Sequence, residues 1–214
     1  MINARLSEIN KNEVLIYLGY KGQEIPEEIE KKIDNAVSEV LNTANPRLIY
    51  RILKKDDCSF LKGNDVKVLL KLCSDVVLFA VTMGQDEEKK LLKKEVKDMT
   101  DALIYDACLS TAIENVCDNF EKDFEEETGL YLTSRFSPGY GDLDLSVQKA
   151  FLDTLDARKI GLTVTDTSIL TPRKSVTAVS GISKEYMEKR KKTCEICSMF
   201  KSCTYRKEGK VCNE

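Results

Sequence analysis

Two groups of residues in this 214-residue chain have the types and spacing to do chemistry. The first is the stretch RFSPGYGDLDL, from Arg135 to Leu145. A guanidinium is a planar, permanently charged fork that can engage both oxygens of a carboxylate or phosphate at once. Pro138 stiffens the backbone beside it, and Gly139 and Gly141 permit positive φ and a close approach of main-chain N–H and C=O groups to a ligand. Tyr140 adds a flat apolar face with a hydroxyl. Such a set suits a small zwitterion that also carries a ring. The same residues can equally form a strand-to-helix turn in which Arg135 pairs with Asp142 or Asp144, because glycine and proline clusters mark turns.

The second group is Cys194, Cys197, Cys203 and Cys212, spaced C-x2-C-x5-C-x8-C near the C-terminus. Four thiolates complete a tetrahedral zinc site or hold an iron–sulfur cluster. Their crowding argues for a metal rather than disulfides in a reducing compartment. Only the first pair is close, so zinc and [4Fe-4S] both stay open; zinc would staple a tail too small to fold alone. Cys58, Cys73, Cys108 and Cys117 lie among apolar neighbours and read as buried thiols. The chain has no histidine, which removes the commonest general base and any imidazole ligand for a metal.

Positioning these groups requires a core. With 42% hydrophobic and 32% charged residues the chain belongs to the globular class, and its 33 basic and 36 acidic residues are interspersed, which gives no global electrostatic case for nucleic acid. No apolar run has the length of a membrane span, and MINARLSEINKNEV lacks the apolar centre of a signal peptide. A cytoplasmic location without membrane contact is therefore expected.

Periodicity predicts helices through the first 44 residues, with Ile25, Ile29, Ile33, Val37 and Val40 on one face of the second. RLIYRILKK and DVVLFAVTMG read as strands, DVKVLLKLCS and DEEKKLLKKEV as helices. The longest helix is expected from roughly Val96 to Glu127, with Met99, Leu103, Ala107, Cys108, Ala112, Val116, Phe120 and Phe124 as its apolar stripe. GLYLTSRFSPGYG, KIGLTVTDT and VTAVSGI read as strands, SVQKAFLDTLDA as a helix, and ILTPRKS as a turn at Pro172. The strands do not recur in a βαβ rhythm. The predicted class is α+β, a mixed and mostly antiparallel sheet packed by helices around one long central helix. Residues 1–183 would form the globular body and residues 184–214 a basic linker helix, KEYMEKRKK at its start, with the four-cysteine tail.

The segment RFSPGYGDLDLSVQKAF, followed by IGLTVTDTSILTPRKSVTAVSGI, resembles the activation (reactivation) domain of cobalamin-dependent methionine synthase in its short stand-alone form. YLGYKG, PRLIYRIL, DVVLFAVTMG and DMTDALIYDACLSTAIENVCD fit the same pattern, so the resemblance runs from about Glu13 to Ile182. Its most specific part is the R-x-x-x-G-Y element at Arg135, Gly139 and Tyr140.

The resemblance implies S-adenosylmethionine binding there, with Arg135 on the methionyl carboxylate, the backbone at Ser137 and Gly139 lining the ligand, and Tyr140 beside it. Ser137 stands where the full-length enzymes commonly have alanine. GDLDLS replaces a longer proline- and cysteine-containing segment, and the acidic residue and later tyrosine that complete the family's site have no matching position.

The implied role is repair of the oxidised cob(II)alamin form of a methionine synthase by reductive remethylation. The corrinoid would be carried by that partner, since no cobalamin-binding region is recognisable in this chain. A flavodoxin- or ferredoxin-type donor would supply the electron, a use that favours [4Fe-4S] in the tail. No catalytic side chain is expected, because cobalt and the sulfonium carry the chemistry. Two other classes compete: a non-catalytic corrinoid-protein chaperone with a structural zinc tail, and a zinc-type nucleic-acid or protein binder built from the basic segment and the tail.

Overall fold

The structure, a computed structural model, describes residues 2–20 and 22–187. Cys194, Cys197, Cys203 and Cys212 lie outside the described residues, as does most of the expected linker helix.

A four-stranded sheet organises the molecule: β1 (Arg47–Lys54), β2 (Asp75–Thr82), β6 (Ser175–Ser183) and β3 (Tyr131–Leu132), in that spatial order and antiparallel throughout. β4 (Thr163–Val164) and β5 (Leu170–Thr171) form a separate two-stranded ribbon. β2 is buried along almost its whole length, as its unbroken apolar run requires of a strand covered on both faces. Val77, Phe79 and Val81 point into one core, shared with α1 (Lys11–Tyr17), α2 (Glu27–Thr43), α4 (Gln85–Lys97) and α5 (Met99–Thr128). Val76, Leu78 and Ala80 point into a second core, closed by α3 (Asn64–Leu69) and α6 (Gln148–Leu155). The two cores differ by one step of the strand, which turns alternate side chains to opposite faces.

α5 is the spine of the first core and packs against α1, α2, α4 and β2. It begins at Met99 rather than Val96. Asp98, in an extended conformation, breaks it from α4 and accepts the N–H of Thr100 at 2.8 Å as its N-cap. Ala107, Cys108, Ala112, Val116, Phe120 and Phe124 are buried as the stripe predicts. Met99 and Leu103 are 59% and 58% exposed, while Ala102, Ile104 and Tyr105 of the same turns are buried, so the packed face there is turned from the predicted stripe. Phe120 meets Phe79 with ring centroids 4.8 Å apart.

The opening segment also departs from the predicted run of helix. Residues 2–9 have no regular structure and lie along α5 as an arm. Ile2 and Ile9 are buried, Arg5 pairs with Asp123 at 2.6 Å, Ser7 N–H donates to Asn115 Oδ1 at 3.0 Å, and Asn119 Nδ2 donates to the Arg5 carbonyl at 2.9 Å. Asn115, Asn119 and Asp123 recur every four residues, one line of the helix surface that holds the arm.

The strand expected across GLYLTSRFSPGYG is reduced to Tyr131–Leu132 and a single later bridge, Phe136 to Val179. β4 is likewise only two residues long.

Candidate functional site

The interruption of β3 is what aims Arg135. Thr133 N–H donates to the Gly181 carbonyl at 3.0 Å, and Phe136 N–H donates to the Val179 carbonyl at 2.9 Å. Ser134 and Arg135 thus stand opposite Ser180 alone, two residues against one, which is the count of a β-bulge. A bulge re-aims a side chain, and here Arg135 leaves the ladder towards α5.

There the guanidinium meets three carboxylates. Nη2 contacts Glu114 at 2.5 Å, and Nη1 contacts Asp118 at 2.6 Å and Glu121 at 2.8 Å. Glu114, Asp118 and Glu121 fall at i, i+4 and i+7 of α5, one line of its surface beside the line that binds the N-terminal arm. Burial opposes the charge of Arg135, but Glu121, Glu114 and Asp118 outweigh it and raise its pKa. Glu121 is buried at 5% exposure, whereas the Asp118 side chain is 65% exposed. Three carboxylates around one guanidinium leave surplus negative charge. Ser180 Oγ, opposite the bulge, is buried without a hydrogen-bond partner among the described residues.

The other expected residues, Ser137, Gly139 and Tyr140, follow Arg135 in the loop. Gly139 and Gly141 have φ of 87° and 52°, the left-handed region the sequence reserves for them. A Cβ on Gly139 would stand 3.2 Å from Leu145 Cδ1, and one on Gly141 would collide with Asp65. Gly139 N–H donates to the Leu143 carbonyl at 2.8 Å, and Tyr140 N–H to the Ser137 carbonyl at 3.2 Å. These two donors are therefore used inside the loop. Tyr140 is 69% exposed.

Asp142 and Asp144 do not pair with Arg135. Asp142 accepts the N–H groups of Asn64 and Asp65 at 2.7 and 3.1 Å, fixing the start of α3, and these bonds hold its carboxyl below the usual range. Asp144 accepts the Ser146 N–H at 2.8 Å.

Residues outside the motif complete the neighbourhood. Tyr17, at the end of α1 and 54% exposed, has its phenol pushed up by burial and then by Glu114, Glu13 and the Tyr140 hydroxyl, with Arg135 pulling the other way. Sequence reasoning missed Glu13, Tyr17, Glu114, Asp118 and Glu121. The signal for the last three was present in ENVCDNFE, whose acids repeat at helical spacing beside the apolar stripe.

Chemically, the arrangement suits a small molecule bearing both signs of charge, with a cationic group towards the exposed carboxylates and an anionic group towards the guanidinium. No group of three or more potential metal ligands is found among the described residues. No helix among them is long and apolar enough to cross a membrane.

No protein-family model matches the chain, and no curated protein is similar to it in sequence. Among solved structures, a crystal structure of the MetH reactivation domain bound to AdoHcy is similar to it, with a TM-score of 0.63 and 13% sequence identity, covering 95% of this chain and 82% of that one. The chain has the fold of that reactivation domain.

Proposed function

We propose that the chain binds S-adenosylmethionine at the Arg135 loop and supports reductive remethylation of the cob(II)alamin form of a separate methionine synthase or related corrinoid protein. The observation that carries this reading is the bulge that brings Arg135 among Glu114, Asp118 and Glu121 of α5. The fold shared with an AdoHcy-bound reactivation domain supports it.

S-adenosylmethionine carries an ammonium, a sulfonium and a carboxylate, a net cation that matches the surplus negative charge. Exposed Asp118 swings aside to release a guanidinium N–H for the ligand carboxylate. Glu114 and Asp118 then receive the ammonium, the main chain around Ser137 and Gly139 lines the ligand, and Tyr140 covers it. The chain's own work is placement and charge compensation. Once an external donor has reduced the cobalt of the partner, the corrinoid supplies the nucleophile that takes the methyl group, and the C–S electron pair stays with the sulfur of AdoHcy.

Cys194, Cys197, Cys203 and Cys212 we assign to a metal, with [4Fe-4S] as a relay from a flavodoxin- or ferredoxin-type donor and zinc as the structural alternative. Iron and sulfide analysis of anaerobically purified protein decides between them. The location that fits this chemistry is the cytoplasm.

The test is an anaerobic assay containing a methionine synthase held as cob(II)alamin, S-adenosylmethionine and a reduced flavodoxin. The chain is expected to restore the methylcobalamin spectrum, and Tyr140→Ala to slow that recovery roughly tenfold, the loss of one well-packed ligand contact. Recovery at the same rate with and without the chain overturns the reading. The internal pairing of Arg135 and of the loop N–H groups favours a second reading, a corrinoid-protein chaperone that holds no ligand. In that case the chain protects the cobalt-bearing partner equally well with and without S-adenosylmethionine.

A further inference from the structure

The hydrogen-bond parity of the sheet leaves one long edge open. Lys55 N–H donates to the Ser74 carbonyl at 2.9 Å, continuing the β1–β2 register. Since N–H and C=O directions alternate along an antiparallel strand, the odd-numbered residues of β1 face β2 and the even-numbered ones face away. The same parity holds across the sheet: Met83 N–H donates to the Lys174 carbonyl, so the odd residues of β2 face β6. The main-chain groups of Leu48, Tyr50, Ile52 and Lys54 therefore point outward, and among the described residues none of them is paired.

This edge is eight residues long and carries no proline, whereas the opposite edge, β3, is two residues long and broken by the bulge. It is also basic. Arg47 and Arg51 are exposed along it; Lys159 chiefly, with smaller contributions from Arg51 and Arg158, depresses the Asp156 carboxyl; and Lys54 ends the strand paired with Asp75. Ile52 adds an apolar side chain 51% exposed on the α5 face.

A second copy of the chain paired edge to edge would set these cations against each other, the usual device against self-association. The same charges attract a strand of opposite sign. We propose that β1 receives an extended acidic segment of a partner protein as a fifth strand, with its main chain bonded to Leu48, Tyr50, Ile52 and Lys54, its acidic side chains towards Arg47 and Arg51, and an apolar one against Ile52.

The inference does not depend on ligand binding at Arg135. Its test is an NMR titration of the ¹⁵N-labelled full chain with a capped peptide of the length of β1 that alternates glutamate and valine, beside a control with lysine in place of glutamate. Binding of the glutamate peptide is expected to shift the amides of Leu48, Tyr50, Ile52 and Lys54 and to slow their solvent exchange roughly tenfold. Arg51→Glu, a change at an exposed position, is expected to weaken the peptide about threefold to fivefold, the scale of one exposed ion pair. The proposal is overturned by unchanged β1 amides, by equal binding of the lysine peptide, or by shifts confined to another surface. It is equally overturned if sedimentation shows dimerisation while the same amides shift with protein concentration alone, because the occupant is then a second copy.

Discussion

Arg135 pairs with carboxylates of α5 and is also the proposed ligand anchor, so the choice of substitution decides which of the two is probed. Its guanidinium compensates Glu121, which is only 5% exposed, so Arg135→Ala leaves a buried carboxylate without its cation. We expect that variant to lose about 3 kcal/mol of stability in urea unfolding, and Arg135→Ala combined with Glu121→Gln to recover most of it. Equal stability of the single and double variants would show that Glu121 does not depend on Arg135. Tyr140, largely exposed, can be removed with a change within about 0.5 kcal/mol, and is the cleaner probe of ligand binding.

The backbone of the loop was legible from residue types, since Gly139 and Gly141 adopt the positive φ that glycine permits, whereas residue types alone left a binding loop and a turn both open. The partners of Arg135 were not legible. An acidic line on a helix is ordinary surface until a bulge in another element delivers a cation to it, and the shift of one residue between Thr133 and Phe136 has no marker in the sequence.

At the scale of elements, periodicity located β1, β6 and most of the helices by the apolar face each buries, and β2 by an unbroken apolar run buried on both faces. It overextended β3 and β4, where apolar residues serve a loop and a ribbon rather than a long ladder. It also overcounted the stripe of α5, because Met99 and Leu103 have the spacing but the packed face there is turned from them.

The buried part of α5 has a pH signature. Burial pushes the Cys108 thiol up to about 12 and raises that of Cys117, where Arg135 opposes the shift; burial and then the hydrogen bond to Glu87 raise the Tyr105 phenol. Groups raised in the native state stay neutral there while the unfolded chain ionises. Their contribution is complete at neutral pH and is lost as pH rises past the ordinary thiol and phenol values, about 8.5 and 10. The urea midpoint should therefore fall over that range, and Cys108→Ala should flatten the decline. A midpoint constant through that window would contradict the burial assigned to these groups.

For the whole molecule, the sheet between two cores is the frame that a short chain offers the proposed site. Arg135 comes from the sheet edge, its carboxylates from the spine helix, and Tyr17 from the helix that follows the N-terminal arm. The arm thus couples stability to the site: deletion of residues 2–9 removes the burial of Ile2 and Ile9 and should cost roughly 3 kcal/mol or more. The same deletion removes the segment that leads into α1, and weaker ligand binding is expected even where the remaining chain is folded. Unfolding at an unchanged urea midpoint would show that the arm is dispensable.

The fold was legible because local patterns and layer packing agree, and the resemblance carried by the R-x-x-x-G-Y element matches it. The convergence of arm, spine and bulge depends on contacts far apart in the chain, and no local pattern encodes it. An S-adenosylmethionine site at this convergence, as proposed, is probed by an anaerobic calorimetric titration of the full chain with S-adenosylmethionine, wild type beside Tyr140→Ala. One saturable site is expected in the wild type, weakened roughly tenfold by Tyr140→Ala. Absence of heat in the wild type, or equal affinity in the variant, would contradict it.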